Sequence, residues 1–134
     1  MSAQSQHFTD RLIEAIKRKG SPICVGLDPR LDLIPEFIKQ DHVTKKAYSF
    51  EAAADAILEF NMGIIDAVCD LVPAVKPQIA FYEQYGFAGF LAFEETCKYA
   101  KEKGLLVIAD AKRADIGTTA EAYANAFLGK VDVF

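Results

Sequence analysis

The chain has no tryptophan and only two histidines, His7 and His42, both in polar surroundings without a partner at useful spacing, so neither is given a role. Its three cysteines, Cys24, Cys69 and Cys97, are widely separated in apolar surroundings and match no metal or redox spacing. They read as reduced core thiols of a cytoplasmic protein. Positive charge is in deficit, with 15 Lys and Arg against 19 Asp and Glu and a net charge of −4, which leaves no basic footprint for nucleic acid. No apolar run approaches the roughly 20 residues of a membrane span, and residues 1–10 lack the apolar core of a signal peptide. Neither Gly-x-Gly-x-x-Gly nor Gly-x-x-x-x-Gly-Lys-Ser/Thr occurs, so a nucleotide-cradling open sheet has little support. What remains, at 51 % hydrophobic and 25 % charged over 134 residues, is the balance of one soluble globular domain or part of one.

The patterning alternates short apolar runs with helical stripes. Residues 8–19 place Phe8, Leu12, Ile13 and Ile16 on one helical face, and Gly20 closes the segment. A short buried strand over residues 23–28 ends on Asp28, where Pro29 forbids simple continuation. Residues 31–43 read as an irregular loop with one helical turn at 35–39. A long helix is expected over 44–69, with Ala47, Phe50, Ala54, Ile57, Leu58 and Ile65 on its buried face. A second strand over 73–78 delivers Lys76 near its end, and Pro77 biases Lys76 towards extended backbone. Residues 79–85 form an aromatic loop or turn in which Phe81, Tyr82 and Tyr85 serve packing. The next helix covers 90–103, with Phe90, Phe93, Cys97 and Ala100 on one face. A strand at 105–109 follows, then a helix from about 119 to 128, and a fourth strand begins at 131.

The stretch Leu105-Leu-Val-Ile-Ala-Asp-Ala-Lys-Arg-Ala-Asp-Ile-Gly-Thr-Thr119 concentrates the chemistry. Its apolar run reads as a strand buried on both faces. Residues two apart in a strand share a face, so Asp110 and Lys112 leave its end together, and Asp115 follows in the turn. Such a spacing arises by chance among solvated surface charges. The strand context argues against that, because desolvating three charges is costly unless they are paired or used. Arg30 and Arg113 read more simply as members of surface ion pairs.

The β-α-β-α-β-α-β order predicts a parallel sheet covered by helices, closed as a (β/α)8 barrel or open and doubly wound. Asp28, Lys76 and the Asp110 group each end a successive strand, which favours the barrel. A whole barrel takes about 250 residues.

Three motifs, Val25-Gly-Leu-Asp-Pro-Arg30, Val75-Lys-Pro-Gln-Ile-Ala-Phe-Tyr-Glu83 and Ala109-Asp-Ala-Lys-Arg-Ala-Asp-Ile-Gly-Thr-Thr119, resemble in content and order the longer bacterial form of orotidine 5′-phosphate decarboxylase. The resemblance implies a TIM barrel working as a homodimer on a small nucleotide, without metal or organic cofactor. It implies that residues 1–134 form a single partial domain, the N-terminal half of such a barrel. Carried over by position, Lys112 resembles the lysine that protonates carbon 6 of the pyrimidine, and Asp110 the carboxylate beside the substrate's own. Lys76 resembles the lysine joining the charged network, and Asp28 the acid that binds the ribose hydroxyls. Asp115 and Thr119 resemble residues reaching into the neighbouring subunit's site, and Ile116 an apolar contact across that interface.

The chemistry accounts for the residue types. Loss of carbon dioxide from carbon 6 leaves a poorly delocalised carbanion, and an adjacent ammonium stabilises it more than it stabilises the substrate. The same ammonium then serves as general acid. Family members hold the substrate phosphate with later βα-loops, so the chain is expected to be truncated, with Val131 to Phe134 ending in mid-strand. Two other readings remain open: a catalytically silent fragment, binding or assembly module, and a related metal-dependent phosphosugar decarboxylase sharing the Asp-x-Lys-x-x-Asp spacing.

Overall fold

The computed structural model describes residues 6–114, 116–118, 120 and 124. The first helix, α1, spans Phe8–Lys19, as its stripe predicts, and Gly20 closes it at φ 66° by returning its amide to the Ile16 carbonyl. The left-handed conformation that this closure needs suits glycine. Three parallel strands follow, β1 (Cys24–Leu27), β2 (Ala74–Pro77) and β3 (Leu106–Val107), in spatial order β1-β2-β3. A further parallel bridge between Gln78 and Asp110 carries the pairing of β2 with β3 past their ends.

Between β1 and β2 the chain departs from the expected pattern. After a single 3-10 turn (Leu31–Leu33), residues expected to be mostly loop form an eleven-residue helix, α2 (Glu36–Lys46). Local polar chemistry supports α2: Glu36 sits in its first turn, Lys45 and Lys46 in its last, and Lys45 reaches Asp41 at 2.6 Å. Ile38 is its one buried residue, so it carries no apolar stripe to announce it. The expected helix over 44–69 is therefore two helices with a break at residues 47–49. Ala47 takes a positive φ of 56°, and Ser49 caps the next helix by accepting the Ala52 amide at 3.1 Å. That helix, α3, spans Phe50–Val68. Ala47 thus lies in a connector rather than on a buried face, and Phe50 is exposed, with an edge-on contact to Tyr85. Ala54, Ile57 and Ile65 are buried as expected.

A short helix, α4 (Ala80–Glu83), leads into α5 (Gly86–Glu102), which starts earlier than the expected residue 90. Close approach explains the glycine at 89: a Cβ there would lie 1.8 Å from the Tyr82 carbonyl oxygen. The core falls into two clusters. One, around Ile57, Ile79, Tyr82 and Phe93, joins α3, α4 and α5; the other, around Leu27, Ile65, Val75, Ala100 and Leu105, seats helices on the sheet. Full burial of a Leu, Ile, Val or Phe side chain in these clusters stabilises by about 1.5–3 kcal/mol.

β3 departs from the expectation that it is buried on both faces, with Leu106 and Val107 half-buried and Ile108 exposed, whereas β2 is buried at Ala74, Val75 and Pro77. Val25, Val75 and Val107 lie side by side, so Leu27, Pro77 and Leu105 share their face, which packs against the helices. On the opposite face Cys24 and Ile108 are exposed among the described residues. Of the cysteines, Cys97 and Cys69 pack half-buried against the two core clusters, and only Cys24 departs from a core thiol. All three are free, with Cys24 exposed and Cys69 and Cys97 intermediate, although burial pushes the Cys97 thiol up to about 11. The helix expected over 119–128 and the strand from 131 lie outside the described residues, apart from isolated helical positions at 120 and 124.

Candidate active site

The same register sets out the site. Gly26 lies opposite Lys76, and Gln78 opposite Asp110, so these positions fall on the sheet face away from the helices. Leu27 pairs with Pro77, which brings Asp28 level with Gln78 and Asp110 one step on. Backbone bonds pin this row: Gln78 N–H donates to the Leu27 carbonyl at 3.3 Å, Asp110 N–H to the Pro77 carbonyl at 3.0 Å, and Ile79 N–H to the Asp110 carbonyl at 3.0 Å. The C-terminal ends of three parallel strands thus present an exposed acid, a lysine, an amide and a second acid on one face.

Asp110 is the centre of the cluster. Its Oδ2 accepts from Gln78 Nε2 at 2.8 Å and from Lys76 Nζ at 3.4 Å. Lys112 Nζ stands 3.4 Å from Oδ1 and 3.5 Å from Oδ2. Charge-assisted bonds usually run about 2.7–2.9 Å, so both ammonium groups are loosely held. Side-chain exposure grades outward, from 23 % for Asp110 and 37 % for Lys76 to 82 % for Lys112. Desolvation pulls the Asp110 carboxyl upward, but the hydrogen bonds and charges of Lys76 and Lys112 outweigh it, and the group titrates below its ordinary value. A carboxylate kept ionised between two ammonium groups at the end of a sheet is equipped to confront a charged substrate with both signs of charge.

Two supports hold this cluster from behind. Arg113 donates through Nη1 to the Lys112 carbonyl at 2.8 Å and through Nη2 to Glu83 at 2.6 Å, tying the segment after β3 to α4. Tyr82, fully buried, donates its hydroxyl to the Leu27 carbonyl at 3.2 Å, just before Asp28. Asn61 Nδ2 in turn donates to the Tyr82 hydroxyl at 2.9 Å and to Thr96 Oγ1 at 3.2 Å. Burial raises the Tyr82 phenol far above its ordinary value, so it stays a neutral donor.

Of the residues singled out from sequence, Lys76, Asp110 and Lys112 are in direct contact, and Asp28 leaves the same end of the sheet. Ile116 is 86 % exposed. Asp115 and Thr119 lie outside the described residues. Arg30 pairs with Asp32 on the surface, as expected of it. Gln78 is absent from the residues expected in the site, although it stands two residues beyond Lys76 and so shares its strand face. His42, for which the sequence spacing offers no partner, has its Nε2 2.7 Å from Glu59 Oε2. That partner comes from α3, too far along the chain for local spacing to show. With Asp41 these two make the one group of potential metal ligands among the described residues, and it lies on α2 and α3 rather than at the strand ends.

A groove of about 430 Å³ between α2 and α3 is lined by Leu31, Val43, Tyr48, Phe50 and Tyr85 among others. Its polar rim is already paired, Glu36 with Lys39 and Gln40, so it offers few convergent groups to a polar substrate. The chemistry lies at the strand ends. No described helix is long and apolar enough to cross a membrane.

Comparison with known proteins follows the same line. Residues 21–134 match the model of the Orotidine 5′-phosphate decarboxylase / HUMPS family. The chain is 49 % identical over 125 residues to the orotidine 5′-phosphate decarboxylase of Rhodopirellula baltica, covering 93 % of itself and 40 % of that relative. It superposes on a solved Streptomyces avermitilis structure assigned as an orotidine 5′-phosphate decarboxylase with a TM-score of 0.70 and 33 % identity, covering 96 % of itself and 42 % of that chain. The Leishmania donovani OMP decarboxylase structure gives a TM-score of 0.65 at 32 % identity, over 90 % of this chain and 39 % of that one. The α/β fold is accordingly part of a TIM barrel, and the chain spans about two fifths of the length of these relatives.

Proposed function

The chain belongs to the orotidine 5′-phosphate decarboxylase / HUMPS family, and from that premise we propose that it converts orotidine 5′-monophosphate to uridine 5′-monophosphate, a step of pyrimidine biosynthesis. The observation that carries this reading is the Asp110 carboxylate touched by both Lys76 and Lys112 on the open face of the sheet.

In this reading the substrate carboxylate enters beside Asp110, with carbon 6 of the pyrimidine next to Lys112 Nζ. The bond from carbon 6 to the carboxylate breaks, carbon dioxide leaves, and the electron pair stays on carbon 6. The Lys112 ammonium stabilises that pair as it develops, which lowers the barrier more than it tightens substrate binding. It then donates a proton to carbon 6, giving the product pyrimidine and a neutral amine that regains its proton from water. Lys76 balances the charge of Asp110 while the substrate is present. The step draws on no metal or organic cofactor.

Asp28 takes the ribose hydroxyls, a role supported by its place level with Asp110 at the end of β1. Asp115 and Thr119 reach the site of a neighbouring subunit in a homodimer, with Ile116 as the apolar contact; the exposure of Ile116 supports that assignment. Residues 1–134 form a single partial domain, the N-terminal half of the barrel, with about three βα units and the start of a fourth strand.

The test is the loss of ultraviolet absorbance of orotidine 5′-monophosphate on adding the purified chain, with Lys112→Ala in parallel. Turnover that disappears in the variant supports the proposal. Equal rates in the two proteins, or none in either, count against it for this chain.

A further inference from the structure

Gln78 belongs to no part of the mechanism above, yet it makes the shortest contact in the cluster. Its Nε2 lies 2.8 Å from Asp110 Oδ2, against 3.4 Å for Lys76 and 3.4–3.5 Å for Lys112. The orientation of its amide is fixed at the other end, where Oε1 accepts the Ala80 N–H at 3.3 Å at the start of α4. The –NH₂ end therefore faces the carboxylate, since the reversed amide would set two donors together at Ala80 and two acceptors together at Asp110. The backbone repeats the tie, because Gln78 and Asp110 are bridged as parallel partners and Ile79 N–H donates to the Asp110 carbonyl.

We propose that Gln78 is the positioning residue of the charged centre: its side-chain amide, rather than Lys112, holds the Asp110 carboxylate in its orientation. The inference deepens the decarboxylase reading and rests on it for its catalytic meaning. Lys112 is 82 % exposed and loosely bonded, and in the proposed reaction it becomes a neutral amine after giving up its proton. An anchor made by Lys112 would weaken at that moment. A neutral amide keeps its bond to Asp110 through the whole cycle and adds no charge to the site. The proline between Lys76 and Gln78 stiffens this arrangement by fixing its own φ near −65°.

The experiment is side-chain nuclear magnetic resonance on the 134-residue chain, which needs no turnover and so separates failure of this inference from failure of the decarboxylase reading. In the wild type, the two Gln78 side-chain amide protons are expected to be well separated and to shift together as pH is lowered, with the same midpoint as the Asp110 carboxyl carbon. In Lys112→Ala that shared titration persists. In Gln78→Leu the Asp110 carboxyl-carbon signal is expected to shift at neutral pH, because the amide that orients the carboxylate has gone. Gln78 amide protons that ignore the Asp110 titration would overturn the proposal, as would a shared titration that vanishes in Lys112→Ala. The wild-type and Lys112→Ala measurements keep the test intact if Gln78→Leu does not fold.

Discussion

Two polar groups of residues lie a few side chains apart and are built on opposite terms. Asn61, Tyr82 and Thr96 form a network with at most 1 % exposure, closed by bonds of 2.9–3.2 Å and ending on the Leu27 carbonyl. Lys76, Asp110 and Lys112 form a charged cluster, open to solvent on one side, with contacts of 3.4–3.5 Å. The first gains from burial because every described group in it is satisfied; no buried side-chain polar atom among the described residues lacks a partner. The second gives up tight pairing and keeps its charges available. The neutral network holds the scaffold, and the scaffold holds the charges. Leu27 and Gln78 are where the two meet, since the Leu27 carbonyl takes both the Tyr82 hydroxyl and the Gln78 backbone N–H.

The comparison breaks most readily in the neutral network. Tyr82→Ala removes a fully buried ring that packs edge-on against Phe93 at 5.2 Å, and should cost about 3–5 kcal/mol in urea unfolding. Gly89→Ala, forced against the Tyr82 backbone oxygen, should cost about 1–3 kcal/mol or more by the same measurement. Asn61→Ala leaves Tyr82 and Thr96 without their shared donor and should cost about 1–3 kcal/mol. None of these changes a charged residue, so their first effect is on stability, with activity per folded molecule lowered only as far as the Leu27 end of the network shifts Asp28.

The charged cluster should show the reverse. Lys112→Ala removes an exposed side chain, and its unfolding midpoint should match the wild type while decarboxylation falls to background. The smallest effect is on acid stability. Asp110 is held low despite desolvation, and Asp66 is held low by hydrogen bonds from Lys103 and Tyr99. A depressed carboxyl contributes stability that is fully present above its unfolded value near 4 and is lost as pH falls through the folded one. Urea midpoints should therefore drop below about pH 4, and the drop should be shallower in Asp66→Asn.

The alternation of apolar runs and helical stripes carried the architecture in sequence, since short runs ending at Asp28, Lys76 and Asp110 implied parallel strands with chemistry at one end. Where the reading failed, the determinant was not periodic. Helix α2 rests on charges in its first and last turns and on same-helix ion pairs, with one buried residue, so it leaves no stripe. The break before α3 depends on the Ser49 cap and the backbone of Ala47 inside a pattern that otherwise continues. The lysine and acid of the site were legible because strand neighbours two apart share a face. Gln78 obeyed the same rule from Lys76 but carries no charge to draw notice. The pairs Asn61–Tyr82, His42–Glu59 and Glu83–Arg113 join residues 21, 17 and 30 positions apart. Local spacing holds no trace of such pairings.

The most direct test is to measure decarboxylation of orotidine 5′-monophosphate and urea unfolding side by side for the wild type, Lys112→Ala and Asn61→Ala. The account predicts turnover in the wild type, an unfolding midpoint in Lys112→Ala equal to the wild type with no turnover, and a lowered midpoint in Asn61→Ala with turnover per folded molecule largely retained. Turnover in Lys112→Ala at the wild-type rate would contradict it.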